Sequence, residues 1–131
     1  MESINIACAI VRKNSTFLVL KRSESQRMPG IWEFPAGKVE DKERIEEALY
    51  RELKEETGLD PKGISLLGIH ERFDEDKRKV IFSYIIDSFD GKVRLSDEHT
   101  EHKWLSAKEI VKAKIGVDTK YFTQNFLLNR Y

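Results

Sequence analysis

The chain has 131 residues, with 23 basic and 23 acidic side chains. That length suits one domain with a core of its own, so residues 1–131 are expected to form a single unit. A formal net charge of zero gives no general attraction to nucleic acid or to an acidic membrane surface, and no apolar run is long enough to cross a bilayer.

Residues 3–12 form a mostly apolar run suited to a buried strand. The only cysteine, Cys8, lies within it among Ile6, Ala7, Ala9 and Ile10, which marks a buried side chain, not a reactive thiol. One cysteine excludes an internal disulfide and fits a reducing compartment. No secretory or transit pattern opens the chain, so it reads as cytoplasmic. Asn14-Ser15 turns the chain into a strand over Phe17–Lys21. Ser23–Gly30 is polar, ends Met28-Pro29-Gly30 and reads as a loop. Trp32–Phe34 is a short extended piece, and a helix is expected from about Arg44 to Thr57, stopped by Gly58 and Pro61. Strands follow over Ile64–Phe73 and Val80–Phe89, joined by a charged loop over Asp74–Lys79. Asp90-Gly91 signals a turn. Lys103–Leu105 is a further short strand. Ser106 and Glu109 have the spacing of a capping box for a short helix. Asp118 is expected to cap a last helix over about Thr119–Asn129, with Tyr121, Phe122 and Phe126 turned to the core. Strands, one helix, more strands and closing helices make an α+β arrangement.

The placement of acids on the first helix carries the chemical signal. Glu52, Glu55 and Glu56 have the i, i+3, i+4 spacing that brings side chains together on one helix face. At roughly 100° per residue, Ile45, Ala48, Leu49 and Leu53 form the apolar arc. The three glutamates overlap that arc, where a solvated helix would keep its acids on the far side. Like charges this close repel, and partial desolvation raises the cost. A bound divalent cation would remove it, and oxygen-only ligands point to Mg²⁺ or Mn²⁺.

The whole segment reads Gly37, Glu43, Arg51, Glu52, Leu53, Glu55, Glu56, Gly58 and Leu59 at fixed spacing. It resembles the Nudix box at every fixed position. The resemblance implies the Nudix fold, a mixed β-sheet sandwiched between α-helices. It also implies hydrolysis of a nucleoside diphosphate linked to a further group X, with a nucleotide as the partner and Mg²⁺ as the cofactor (Mn²⁺ able to substitute). Carried over residue by residue, Glu52, Glu55, Glu56 and the main-chain carbonyl of Gly37 are the metal ligands. Arg51 would brace a box carboxylate with its planar fork, and Glu43 would do likewise or touch an outer metal water.

Upstream, Gly30-Ile-Trp-Glu-Phe-Pro-Ala-Gly-Lys resembles the entry to the box in MutT-type pyrophosphohydrolases. Ala36 stands where the first of two glycines is usual, a variant common in ADP-ribose pyrophosphatases. Glu33 and Lys38 are candidates to lie near the substrate phosphates, with a solvated surface lysine the equal alternative for Lys38. Trp32 is expected to pack instead of stacking on a base. In MutT-type enzymes a glutamate shortly before the Trp104-Leu105 strand contributes to the metal site or acts as general base. Glu98 has that spacing, and Glu101 is the alternative. His99 and His102 are expected near the loop surface and His70 on a strand, all in structural roles. Three scattered histidines without cysteine partners give no zinc pattern.

The sequence therefore favours a MutT-like enzyme that splits a nucleoside triphosphate into monophosphate and pyrophosphate. ADP-ribose hydrolysis is the second reading within the enzymes. It is disfavoured because Asp74-Glu75-Asp76 stands where many ADP-ribose enzymes carry a proline. A non-catalytic nucleotide-sensing module is the reading of another class, and such modules usually lose box carboxylates that this chain keeps. Either a monomer or a homodimer is compatible with the sequence.

Overall fold

The computed structural model describes residues 1–131 as a mixed sheet with helices on both faces. In chain order the elements are β1 (Glu2–Lys13), β2 (Thr16–Arg22), β3 (Trp32–Glu33), β4 (Ala36–Lys38) and α1 (Ile45–Thr57). Then come β5 (Asp60–Asp74), β6 (Lys77–Asp90), β7 (His99–Ser106), α2 (Ala107–Lys112) and α3 (Val117–Phe122). A single π-helical turn, Thr123–Leu127, continues α3.

β1 runs parallel to β6 from Glu2↔Lys77 to Val11↔Ile86, and β5 pairs antiparallel with β6 at the edge. β2 meets β1 only at Arg12↔Phe17 and Lys13↔Thr16, and β3 and β7 both pair with β2. The segment from Trp32 to Lys38 crosses the space that opens between β1 and β2. It pairs first with β2 (Leu20↔Glu33) and then with β1 (Ala36↔Cys8), and the Pro35 carbonyl accepts the Ala9 N–H at 2.8 Å. This crossing brings the entry of the box against the middle of the sheet.

Strand alternation divides the interior into two cores. Ala7, Ala9 and Val11 of β1 and Leu18 and Leu20 of β2 pack under Ala48, Leu49 and Leu53 of α1. Cys8, Ile10, Phe17 and Val19, on the opposite face, pack with Ile110, Phe122 and Leu127. Cys8 is 3% exposed, and burial pushes its thiol well above the usual range, as its apolar neighbours predicted.

Some boundaries differ from the sequence expectation for identifiable reasons. β5 starts at Asp60 and runs past Pro61 through register shifts, which an edge strand tolerates because an edge needs no N–H from that residue. The expected Asp74–Lys79 loop is a two-residue turn, Glu75-Asp76, both at positive φ (53° and 63°), the conformation whose twist suits a tight hairpin. β7 extends over eight residues because it pairs along the whole of β2. The Ser106–Glu109 capping box is present, with the Glu109 N–H donating to Ser106 Oγ at 3.2 Å and Glu109 Oε1 accepting the Ser106 N–H at 2.9 Å. Asp118 does not cap a helix. Gly116 holds that position, and the Asp118 carboxylate accepts two bonds from Arg72, at 2.8 and 3.0 Å. The expected last helix is split, with α3 giving way to the π turn at Thr123.

Candidate active site

The Arg44 N–H donates to Glu47 Oε1 at 2.8 Å, satisfying one of the free donors at the start of α1. The helix stops at Gly58, whose φ of +78° is the left-handed conformation that glycine adopts without strain. Gly37 meets a different demand. A Cβ there would fall 2.0 Å from Cδ of Glu52, so any other residue would push the Glu52 carboxylate from its place against β4.

Arg51 is the hub of that face. It donates to both Glu43 oxygens (2.8 and 3.0 Å), to Glu52 Oε1 (2.7 Å), to Glu55 Oε2 (3.4 Å) and to the Lys38 carbonyl (3.0 Å). The Glu43 carboxyl is held down at about 2 by Arg51 and by the Glu40 N–H it accepts. The Arg51 guanidinium is pushed up in return, first by its bond to Glu43. This fork spans residues that the sequence placed only as spacing.

Glu56 stands in a different environment. It is 6% exposed, and its one bond is the Ala36 N–H donating to Oε1 at 3.2 Å. Burial raises its carboxyl to about 9, and the carboxylates of Glu52, Glu33 and Glu98 add to the shift. Glu52 is raised too, by burial, against the pull of Arg51. Glu55 departs from the expected inward arc, since its side chain is 58% exposed. No three acids converge closely enough to hold one ion as the side chains stand, because Arg51 draws both Glu52 and Glu55 toward itself. The chemistry of the set nonetheless fits a hard divalent cation. Every donor is oxygen, the buried Glu56 carboxyl has no basic partner, and the Gly37 backbone lies against Glu52 without a side chain in the way.

The β7 loop adds a further carboxylate. Glu98 is exposed, and its charge acts on both Glu52 and Glu56. Glu101 pairs with Lys21 at 3.2 Å, opposite it on β2. His99 corrects the sequence reading, being 5% exposed. Its Nε2 lies 2.9 Å from Glu33 Oε2, and Glu33 also takes Arg22 Nη1 at 3.1 and 3.3 Å. Lys38 is exposed and makes no ion pair, and Trp32 packs against the second core under the Lys103 ammonium at 4.9 Å.

A cleft of about 610 Å³ opens at Glu33. Arg22, Glu33, Arg72, Asp74 and Asp118 supply its charged groups, and Met28, Phe73 and Val117 its exposed apolar ones. Glu33 thus touches the cleft and acts on Glu56 as well. Arg22, Arg72 and the cleft-facing role of Asp118 were not visible in the sequence. Their partners lie far along the chain, 46 residues away for Arg72 and Asp118, and no local spacing signals such a pair.

A family model described as the NUDIX domain matches residues 1–126. The chain belongs to the Nudix hydrolase family. An ADP-ribose pyrophosphatase of Methanocaldococcus jannaschii is 36% identical over 105 residues, 79% of this chain and 62% of that protein. A CTP pyrophosphohydrolase of Escherichia coli is 29% identical over 83% of this chain and 80% of its own length. A MutT protein from Methanosarcina mazei superposes with a TM-score of 0.83 at 29% identity, covering 95% of this chain and 93% of that one. The Nudix hydrolase is MutT-like, and its α+β architecture is the Nudix fold. Enzymes of this family generally use divalent metal ions and split pyrophosphate bonds.

Proposed function

We propose that this Nudix hydrolase converts a nucleoside triphosphate to the monophosphate and pyrophosphate. One observation carries the reading: the buried Glu56 carboxyl, which has no basic partner, feels the charge of Glu33, and Glu33 lines a 610 Å³ cleft. Phosphates would lie at the acids and the nucleoside in the cleft, where Arg72 and Asp118 offer donors and acceptors to base edges and Phe73 offers a flat apolar surface.

Glu52, Glu55, Glu56 and the Gly37 carbonyl would hold Mg²⁺, with Mn²⁺ as a substitute. A bound ion of this kind neutralises phosphate charge and makes water a better nucleophile at neutral pH. Arg51 and Glu43 fix the helix acids in place. Glu98, exposed and near Glu52 and Glu56, accepts the proton of the attacking water. The water oxygen bonds to one phosphorus of the anhydride, the bridging P–O bond breaks, and the neighbouring phosphate leaves. Lys38, at the entry to the box and without a carboxylate partner, is free to meet a phosphate.

ADP-ribose is the second reading. It is supported by Pro35-Ala36-Gly37 and by the name of the Methanocaldococcus relative, of which the alignment spans 62%. Full retention of the box acids and Arg51 speaks for turnover over a sensing role. The test is a panel of nucleoside triphosphates and ADP-ribose with Mg²⁺, measuring pyrophosphate, phosphate and nucleoside monophosphate separately. Pyrophosphate and monophosphate in equal amounts are expected. Turnover of ADP-ribose alone would move the assignment to the second reading, and no turnover of any compound would contradict both.

A further inference from the structure

We infer that His99 is a positioning residue for the reaction, bolting the start of β7 so that Glu98 stays over the helix acids. The inference rests on Glu98 as the base. His99 opens β7 opposite Arg22, at a register shift between Lys21 and Arg22. Its Nε2–H donates to Glu33 at 2.9 Å, and Glu33 in turn takes Arg22 at 3.1 Å. β2, β3 and β7 are thus joined by three side chains at one point.

The other ring nitrogen, Nδ1, is sealed from solvent and has no partner. An apolar residue would fill this buried place without leaving a polar atom unmatched. Keeping imidazole here makes sense if the bond to Glu33 is needed. The backbone beside His99 is equally fastened. The Ser23 N–H donates to the Glu98 carbonyl at 2.9 Å, the Glu98 N–H to Ser96 Oγ at 3.3 Å, and the His99 N–H to the Ser96 carbonyl at 3.4 Å. The Glu98 side chain itself is exposed and has no ion-pair partner, next to a fixed pivot. A group that must be aimed by its backbone would be built this way.

The experiment is a double-mutant cycle in the full chain with Mg²⁺ and the best substrate of the panel. His99→Leu should lower kcat by about ten- to a hundredfold, the usual loss when a partner behind a reacting group is removed, with KM within about twofold. In the Glu98→Gln background the same change should cost nothing further, because there is no base left to aim. His99→Gln, whose amide can still donate to Glu33, should recover most of the rate. His99→Asn, too short to reach, should not, and it replaces the leucine variant in the cycle if that one does not fold. A normal rate in both His99→Leu and His99→Asn, or a loss that multiplies that of Glu98→Gln, would overturn the positioning role. Normal turnover by Glu98→Gln would instead remove the base assignment beneath it.

Discussion

Arg51 gathers Glu43 and Glu52 at 2.8 and 2.7 Å, whereas Glu56, about one turn further along α1, has only the Ala36 N–H at 3.2 Å. The first region is electrostatically complete. Its arginine answers the acids around it, and the Glu43 carboxyl is held near 2 as a consequence. The second is incomplete: a 6% exposed carboxyl raised to about 9, with further acids close by. A helix needing only stability would place an apolar residue at 56. The contrast shows where this face sacrifices local stability for a site that a cation completes.

Substitution can separate the two regions. Glu56→Gln keeps shape and removes the carboxyl group that has no basic partner. It should nearly abolish turnover at normal Mg²⁺ while the far-ultraviolet circular dichroism stays that of the wild type. Glu98→Gln should lower kcat by roughly two to four orders of magnitude, the usual contribution of a positioned base, with KM little changed and the acidic limb of the pH–rate profile weakened. Glu101→Gln is its control. That carboxylate pairs with Lys21 on β2, and its loss should leave the rate near that of the wild type. Arg51→Met attacks the complete region, and it should cost about ten- to a hundredfold in kcat/KM through loosened acids, accompanied by a lower Tm.

How much of this contrast was readable beforehand depends on sequence distance. The helix, its Gly58 stop and the box spacing were legible because each depends on neighbours within one or two turns. Which of the three acids is buried was not: Glu55 falls on the expected arc yet is 58% exposed, because Arg51 draws it outward. Asp118 illustrates a local rule losing to a distant partner. Its position suggested a cap, and Arg72 on β5 claimed the carboxylate instead. His99 reads as a loop residue in the sequence because nothing nearby announces that β7 begins there, opposite Arg22. The cleft could not be foreseen for the same reason, since its charged groups come from β2, β3, β5 and α3.

The smallest expected effect is on stability without metal. The Glu56 carboxyl is raised in the folded chain, so the fold keeps a proton that the unfolded chain gives up at ordinary carboxyl pKa. The folded state binds more protons between about pH 4.5 and 9, and stability therefore falls as pH rises through that window. Chemical denaturation of the metal-free protein at pH 5, 7 and 9 should show this decline. Glu56→Gln should flatten it, and at pH 9 should be at least as stable as the wild type. An unchanged slope in the variant would mean that another group carries the dependence.

The central claim is that the Glu56 corner is completed by a divalent cation. Its most direct test is a calorimetric titration of the metal-free chain with Mg²⁺ at pH 8, without nucleotide. The account predicts saturable binding to the wild type and to Glu101→Gln, with binding by Glu56→Gln weakened beyond detection or by at least about tenfold. Mg²⁺ binding to Glu56→Gln with wild-type affinity would contradict it.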